Sequence, residues 1–235
     1  MATTRQERLT RFDDGQSRIV PSLLNCDFGI LAAEIADAKR CGADVIHWDV
    51  MDGVFVPNFS YGPVLIDSLR PQSDMVFDVH LMVQDPLRYL DNYLEAGADL
   101  ITAHIEVLDD PRETLRAIRN GGARAGLALN PPTPIEKIVP WLDEIDHVLV
   151  MSVMPGFGRQ KFDASVLSKV RTISNLRNDI WVEIDGGINK NTVEAASEAG
   201  VRLFVVGSAF YNADNRAEAY GDLSRRMQQG RSNRG

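Results

Sequence analysis

Short apolar runs alternate with amphipathic stretches along almost the whole chain. The runs are rich in Val, Ile and Leu, and several follow a glycine that would end a helix, as at Gly42, Gly97 and Gly200. Glycine suits that place because it accepts the left-handed conformation of a helix end. Short apolar runs of this kind are typical of strands in a buried parallel sheet. We predict strands over residues 19–24, 44–50, 75–82, 99–104, 123–129, 147–152, 181–184 and 201–206.

A predicted helix follows each strand. These helices cover residues 30–41, 63–69, 86–96, 111–119, 134–141, 164–176 and 190–199, and a last one ends near 228. Regular alternation favours an α/β fold of the (β/α)8 TIM-barrel type, with residues 18–229 as one catalytic domain. A doubly wound open sheet is the alternative, but it usually carries a glycine-rich turn after its first strand. This chain has Asn25-Cys26-Asp27-Phe28 there.

The two ends of the chain look different from this pattern. Residues 1–17 are polar and mixed in charge, and residues 230–235 are polar and glycine-containing. Chain termini of such composition are commonly poorly ordered. We therefore expect a flexible N-terminal arm over residues 1–17 and a flexible tail over residues 230–235.

Composition narrows the class of protein. The 235 residues are 44% hydrophobic and 25% charged, which suits one large globular domain. The net charge of −8 argues against a nucleic-acid partner, and the chain lacks an apolar run long enough to span a membrane. Two cysteines, Cys26 and Cys41, without paired spacing fit a reducing compartment. We expect a cytoplasmic protein with no membrane or nucleic-acid partner.

Candidate metal ligands gather at the carboxyl ends of the strands, where barrels of this fold place their active sites. His47 and Asp49 lie two residues apart on one predicted strand, so their side chains point the same way. That pair alone is weak, and local hydrogen bonding or capping explains it equally well. His80 and Asp185 fall at the same barrel end. Together the four side chains predict a divalent-ion site, since zinc, iron and manganese accept mixed nitrogen and oxygen ligands.

Three glycine-bearing loops follow strands six, seven and eight, over residues 154–160, 185–189 and 206–209. The loops after the last two strands are the usual phosphate site of this fold. Glycines let backbone N–H groups approach an anion closely. One glycine pair alone indicates only a turn, but three consecutive loops favour a phosphate cradle.

With these features together, the sequence resembles the ribulose-phosphate 3-epimerase family. The matching stretches are residues 21–24, 47–58, 78–83, 126–133, 155–158 with 160–162, 183–188 and 207–209. The resemblance implies a (β/α)8 isomerase of the pentose phosphate pathway that interconverts D-ribulose 5-phosphate and D-xylulose 5-phosphate. It also implies a phosphorylated ketose as substrate, and we expect a homo-oligomer.

The resemblance assigns roles to individual residues. The implied ligands of one divalent ion (Zn, Fe, Mn or Co) are His47, Asp49, His80 and Asp185. Asp49 and Asp185 would also be the acid/base pair, and Ser22 and His80 would touch the sugar. The implied phosphate-binding residues are Gly156, Phe157, Gly158, Arg159, Gly186, Gly187, Gly207 and Ser208. Met51, Met82 and Met151 would line the reacting carbon with apolar surface.

Proton chemistry agrees with this assignment. Epimerisation beside a ketone removes a proton from one face of a carbon and delivers another to the opposite face, which two carboxylates can do. The intermediate is an enediolate, whose charge a metal ion would stabilise. We expect contact with the cation to keep both carboxylates ionised at neutral pH.

The sequence departs from the family pattern at some positions, and other activities stay possible. Met154 and Arg159 stand where the family usually has other residues, and Arg159 is expected to add a charge-assisted contact to the phosphate. The alternatives are a hexulose-phosphate (allulose 6-phosphate) 3-epimerase and a non-catalytic sugar-phosphate-binding barrel. A decarboxylase would need a lysine near the reacting carbon, whereas Lys161 and Lys190 lie further along their loops.

Overall fold

Parallel strands form a single curled sheet in the computed structural model, which describes residues 3–157 and 160–234. Within those residues there are eight strands, paired in the order β1-β8-β7-β6-β5-β4-β3-β2. They are β1 (Arg18–Pro21), β2 (Val45–Met51), β3 (Val76–Met82), β4 (Leu100–His104), β5 (Arg124–Leu129), β6 (His147–Met151), β7 (Trp181–Asp185) and β8 (Leu203–Val206). A parallel bridge between Ser22 and His47 brings β1 to β2. The sheet is therefore a nearly closed barrel, and the predicted (β/α)8 class is confirmed.

Helices lie between most of the strands, and one further helix precedes β1. They are α1 (Arg5–Phe12), α2 (Leu31–Arg40), α3 (Pro63–Leu69), α4 (Pro86–Glu95), α5 (Arg112–Asn120), α6 (Leu167–Leu176), α7 (Val193–Ala199), α8 (Ser208–Tyr211) and α9 (Arg216–Asn233). The start of α4 shows why a helix begins at this point of the chain. The Asp85 side chain accepts a hydrogen bond from the Arg88 backbone N–H, and Pro86 occupies the first turn. The described helices are all too short or too polar to cross a lipid bilayer.

Two predicted elements differ in the structure. Residues 134–141 form two short 3-10 turns, Ile135–Lys137 and Val139–Trp141, in place of an α-helix. Pro140 has no backbone N–H to donate, so an α-helix could not continue through it. Strand β1 ends at Pro21 because the Ser22 hydroxyl accepts a hydrogen bond from the Leu24 backbone N–H and begins a turn.

The N-terminal segment differs more from the prediction. Helix α1 (Arg5–Phe12) lies within residues 1–17, where we expected a flexible arm. Leu9 and Phe12 of α1 are buried among inward-facing strand residues that include Val20 and Val45, at the end of the barrel opposite the strand carboxyl ends. The Phe12 ring stacks on Trp181 with centroids 4.5 Å apart. Two apolar residues one turn apart thus anchor a segment whose composition is otherwise polar.

A buried ion pair holds the same helix. The Arg8 guanidinium donates to both carboxylate oxygens of Asp99 at 2.8–3.0 Å, and Arg70 donates to that carboxylate at 3.1 Å. A charged arginine can be buried when a carboxylate accepts its hydrogen bonds in this way. No sequence pattern predicts this pairing, since the partners lie 91 residues apart.

The predicted tail also differs, because α9 continues through Asn233. Gly230 packs so closely on α7 that an added Cβ would collide with the Glu194 carbonyl oxygen. The Ser197 hydroxyl donates a 2.7 Å hydrogen bond to the Met227 carbonyl. Packing against α7 therefore orders residues 230–233, which we expected to fray.

Candidate active site

A cavity of about 430 Å³ opens at the carboxyl ends of the strands. The predicted site residues that line it are Ser22, Asp49, Met51, Met82, Met151, Gly156, Phe157, Asp185, Gly186, Gly187, Gly207 and Ser208. His47 and His80 are fully buried beside it. Gly158 and Arg159 lie outside the described residues. The structure thus brings together almost all of the residues that the sequence pointed to.

The four predicted metal ligands form one cluster. His47, Asp49, His80 and Asp185 each offer one ligand atom, and these atoms all lie within 4.8 Å of one another. Parallel pairing places Asp49 directly beside His80 on the neighbouring strand. Oδ1 of Asp49 lies 3.5 Å from Nε2 of His47 and 3.5 Å from Nδ1 of His80. The register between the strands therefore brings Asp49 and the two histidines together.

The donor atoms of this cluster fit a cation. Nε2 of His47 and Nδ1 of His80 are buried and have no hydrogen-bond partner in the described part of the chain. Nδ1 of His47 lies 2.5 Å from Oδ2 of Asp78, and a carboxylate only accepts hydrogen bonds, so Nδ1 carries the proton. In the neutral ring, the form that binds a metal, the lone pair of His47 then lies on Nε2, facing Asp49. Two nitrogens and two carboxylates are a set that zinc, iron, manganese and cobalt accept.

Electrostatics at the cluster also favour a cation. Burial and then the neighbouring Asp49 carboxylate raise the pKa of Asp185 to about 7. Burial alone would lower the pKa of His47, but Asp78 and Asp49 raise it well above its ordinary value. Burial lowers the pKa of His80 to about 4, so its ring is neutral at pH 7, the form a metal binds. The crowded carboxylates thus create a field that a divalent ion would balance.

Asp78 and Glu183 form a second layer that the sequence interpretation missed. Both are fully buried, and Oε1 of Glu183 lies 3.4 Å from Nδ1 of His47. Burial and the charge of Asp78 raise the pKa of Glu183 well above its ordinary value. These residues and His47 also lie close enough to hold an ion. We assign them instead to orienting His47, because Asp78 already binds its Nδ1 and both carboxyl groups are sealed from the cavity. The sequence could have indicated them, because each lies two residues before a predicted ligand, Asp78 before His80 and Glu183 before Asp185, on the same face of its strand.

Amide side chains are a further group that the sequence interpretation left out. Asn25, Gln160, Asn189 and Asn212 line the cavity from loops after strands β1, β6, β7 and β8. The Gln160 amide donates to the carbonyls of Met154 and Phe157 at 2.6 and 2.8 Å. This residue therefore fixes the shape of the described part of its loop. Nothing in the sequence distinguished these amides from ordinary loop residues.

Glycines bring backbone to the wall of the same cavity. Gly186 and Gly187 have φ angles of 115° and 64°, which favour glycine. A Cβ on Gly187 would stand 2.7 Å from the Phe162 backbone nitrogen, and one on Gly207 would collide with Asn25. The Asn58 amide donates a 2.7 Å hydrogen bond to the Gly156 carbonyl, which ties the loop after β2 to the loop after β6. Close packing thus shapes a wall rich in main-chain groups.

Several known proteins similar in sequence to this chain are ribulose-phosphate 3-epimerases. A family model described as the ribulose-phosphate 3 epimerase family matches residues 18–211. A ribulose-phosphate 3-epimerase of Bacillus subtilis is 42% identical over 211 residues, which cover 88% of this chain and 97% of that protein. One from Mycobacterium tuberculosis is 47% identical over 215 residues, covering 90% and 93%. A chloroplastic enzyme of Arabidopsis thaliana is 40% identical over 221 residues, covering 90% and 78%.

Solved structures with the same fold are more distant in sequence. A 3-hexulose-6-phosphate synthase from Salmonella typhimurium superposes with a TM-score of 0.73 at 14% identity, covering 91% of this chain and 99% of that one. A 3-keto-L-gulonate-6-phosphate decarboxylase from Vibrio cholerae gives 0.70 at 17% identity, covering 91% and 98%. These similarities establish the barrel architecture alone.

Proposed function

Since this chain belongs to the ribulose-phosphate 3 epimerase family, we propose how its residues carry out the family's reaction. The chain is an isomerase that interconverts D-ribulose 5-phosphate and D-xylulose 5-phosphate. The hexulose-phosphate and non-catalytic alternatives are not favoured, because several relatives that are 40–47% identical over most of the chain are ribulose-phosphate 3-epimerases.

Asp49 and Asp185 are the proposed acid/base pair. The observation that carries this proposal is that both carboxylates border the cavity, from strands β2 and β7, beside the same two histidines. The ionised carboxylate takes the proton from carbon 3, and the electron pair of that C–H bond moves into the adjacent ketone to give an enediolate. Although we expected both groups to be ionised, the scheme needs the other one to be protonated, and the pKa of about 7 that burial and the Asp49 carboxylate give Asp185 lets it hold that proton. The protonated group then delivers its proton to the opposite face. The protonation states of the pair are exchanged after each turnover.

One divalent ion is proposed at His47, Asp49, His80 and Asp185, where two buried ring nitrogens face the carboxylates. When bound, it would stabilise the negative charge that develops on the substrate oxygens. Zn, Fe, Mn and Co each suit this donor set. Ser22 and His80 are proposed to touch the sugar.

The remaining wall of the cavity is proposed to hold the rest of the substrate. The proposed phosphate-binding groups are the backbone and side chains at Gly156, Phe157, Gly186, Gly187, Gly207 and Ser208, with Gly158 and Arg159 from outside the described residues. Met51, Met82 and Met151 offer apolar surface on the same cavity. That surface would exclude water from the reacting carbon and so protect the enediolate from unproductive protonation.

Exchange of the carbon 3 hydrogen with deuterated water tests the two-carboxylate scheme. Asp185→Asn and Asp49→Asn variants, each reconstituted with metal and checked for metal content, should lose epimerisation by at least about 10³-fold. Each should still exchange deuterium into one epimer only, the one whose proton faces the remaining carboxylate. Exposed Asp67→Asn is the matched control and should behave as the native protein. Exchange of both epimers by either variant would contradict the scheme.

A cytoplasmic location and a homo-oligomeric state are also proposed. Cys26 and Cys41 are free thiols, as a reducing compartment would keep them. Val54, Phe59 and Val64, in and after the loop that follows β2, are each more than two-thirds exposed. Exposed apolar side chains close in sequence favour a subunit contact. Sedimentation at equilibrium tests this: a monomer at micromolar concentration would contradict the oligomer.

A further inference from the structure

His80 and His104 meet ring to ring inside the barrel. Their Nε2 atoms lie 2.8 Å apart, and both side chains are fully buried. A hydrogen bond between two neutral imidazoles needs one Nε2 to donate and the other to accept. The direction of this single bond therefore decides which nitrogen of His80 carries a proton.

Glu106 sets that direction. Nδ1 of His104 lies 3.0 Å from Oε2 of Glu106, and a carboxylate can only accept. His104 therefore carries its proton on Nδ1, and its Nε2 accepts from His80. His80 then carries its proton on Nε2, and the lone pair on its Nδ1 faces Asp49 at 3.5 Å. This is the nitrogen that lacks a hydrogen-bond partner within residues 3–157 and 160–234.

Glu106 is itself ionised and fixed in place. Its Oε1 accepts from the Asn130 backbone N–H at 2.7 Å and from the Thr133 hydroxyl. Burial alone would raise the pKa of Glu106, but the hydrogen bonds from His104, Asn130 and Thr133 lower it to about 2. The Lys169 ammonium donates to the carbonyls of Asn130 and Thr133, which holds this loop against the carboxylate.

We propose that Glu106, acting through His104, is a positioning residue that keeps His80 in the tautomer able to bind a metal through Nδ1. The inference rests on the proposed metal site. Two histidines would then each have an orienting partner. Asp78 on β3 contacts His47 directly, and Glu106 acts on His80 through His104 of β4. Orienting partners of this kind commonly change metal affinity 10–100-fold.

Glu106→Gln is the informative variant, because it keeps the size of the side chain and reverses the proton order. The amide oxygen would stay with the two donors, Asn130 N–H and the Thr133 hydroxyl. The amide NH2 would then face Nδ1 of His104 and donate to it. The His104 proton would move to Nε2, and His80 would carry its proton on Nδ1, pointing into the metal site.

Two measurements on the metal-free protein and its titration test this. Long-range ¹H–¹⁵N NMR of histidine-labelled protein reports each ring tautomer, and the chain has only four histidines to assign. The native protein should show His80 protonated on Nε2, and Glu106→Gln should show it on Nδ1. Competition with a chelator should show affinity for Zn²⁺ or Co²⁺ reduced by about 10–100-fold. Glu136→Gln is the control, since exposed Glu136 also acts on Lys169 but not on His104.

The outcomes separate this inference from the proposed function. A His80 proton on Nδ1 in the native protein would overturn the inference without any variant, even if Glu106→Gln failed to fold. Native metal affinity in Glu106→Gln, together with a loss in His80→Gln, would also overturn it and leave the metal site intact. Native affinity in His80→Gln would instead contradict the proposed metal site.

Discussion

The Ser22 hydroxyl donates a 2.5 Å hydrogen bond to Oδ2 of Asp49. Ser22 also forms the bridge to His47 that joins the two ends of the sheet. The bond occupies one carboxylate oxygen and leaves Oδ1 of Asp49 facing His47 and His80, the two proposed ligand histidines. One residue therefore takes part in the closure of the barrel through its backbone and in the orientation of a proposed acid/base group through its side chain.

Ser22→Ala should lower kcat/KM by about 10–100-fold, because a hydrogen bond to a charged group contributes roughly 1.5–3 kcal/mol. Steady-state turnover of D-ribulose 5-phosphate measures the loss. Thermal unfolding should change little, since alanine fits the space. Ser68→Ala, whose exposed hydroxyl only bonds the Leu65 carbonyl, should leave both measurements unchanged. Native activity in the Ser22 variant would show that Asp49 needs no such support.

Removing the metal should abolish turnover, because the enediolate charge would then lack its counter-ion. Protein dialysed against a chelator is assayed with D-ribulose 5-phosphate in a coupled assay, then again after one equivalent of Zn²⁺, Fe²⁺, Mn²⁺ or Co²⁺ per chain. Activity should return with at least one of these ions, and the melting temperature should rise with bound metal. Full activity in protein shown by elemental analysis to be free of metal would exclude the proposed metal site.

Much of the fold and site followed from strand periodicity. The alternation of side chains predicted that His47 and Asp49 share a direction, and the common barrel end of parallel strands brought in His80 and Asp185. The features that the sequence did not predict depend on contacts between segments that are distant along the chain. The Arg8–Asp99 pair orders α1, and His104 gains meaning only from its contacts with His80 and Glu106. One-dimensional patterns cannot report such pairings.

Phe12→Ala should lower the free energy of unfolding by roughly 3 kcal/mol, because it removes a buried ring that stacks on Trp181. For a domain of this size the melting temperature should fall by about 6–12 °C. Gln6→Ala, on the exposed side of the same helix, should change the melting temperature by less than about 2 °C. An unaltered melting temperature for Phe12→Ala would mean that α1 does not dock in solution.

The last prediction concerns the pH dependence of stability through Glu106. Its pKa is about 2 in the folded protein against an ordinary value of 4.5, so the folded state favours the ionised form. That contribution is complete above pH 4.5 and is lost as the pH falls from 4.5 towards 2. Metal-free native protein should therefore melt above Glu106→Gln by roughly 2–4 °C at pH 7, about 1 kcal/mol. The difference should shrink below pH 4.5, where Glu106 becomes protonated in the unfolded chain before it does in the folded one, and it should be lost towards pH 2. A difference that stays constant down to pH 3 would show that the Glu106 charge does not stabilise the fold.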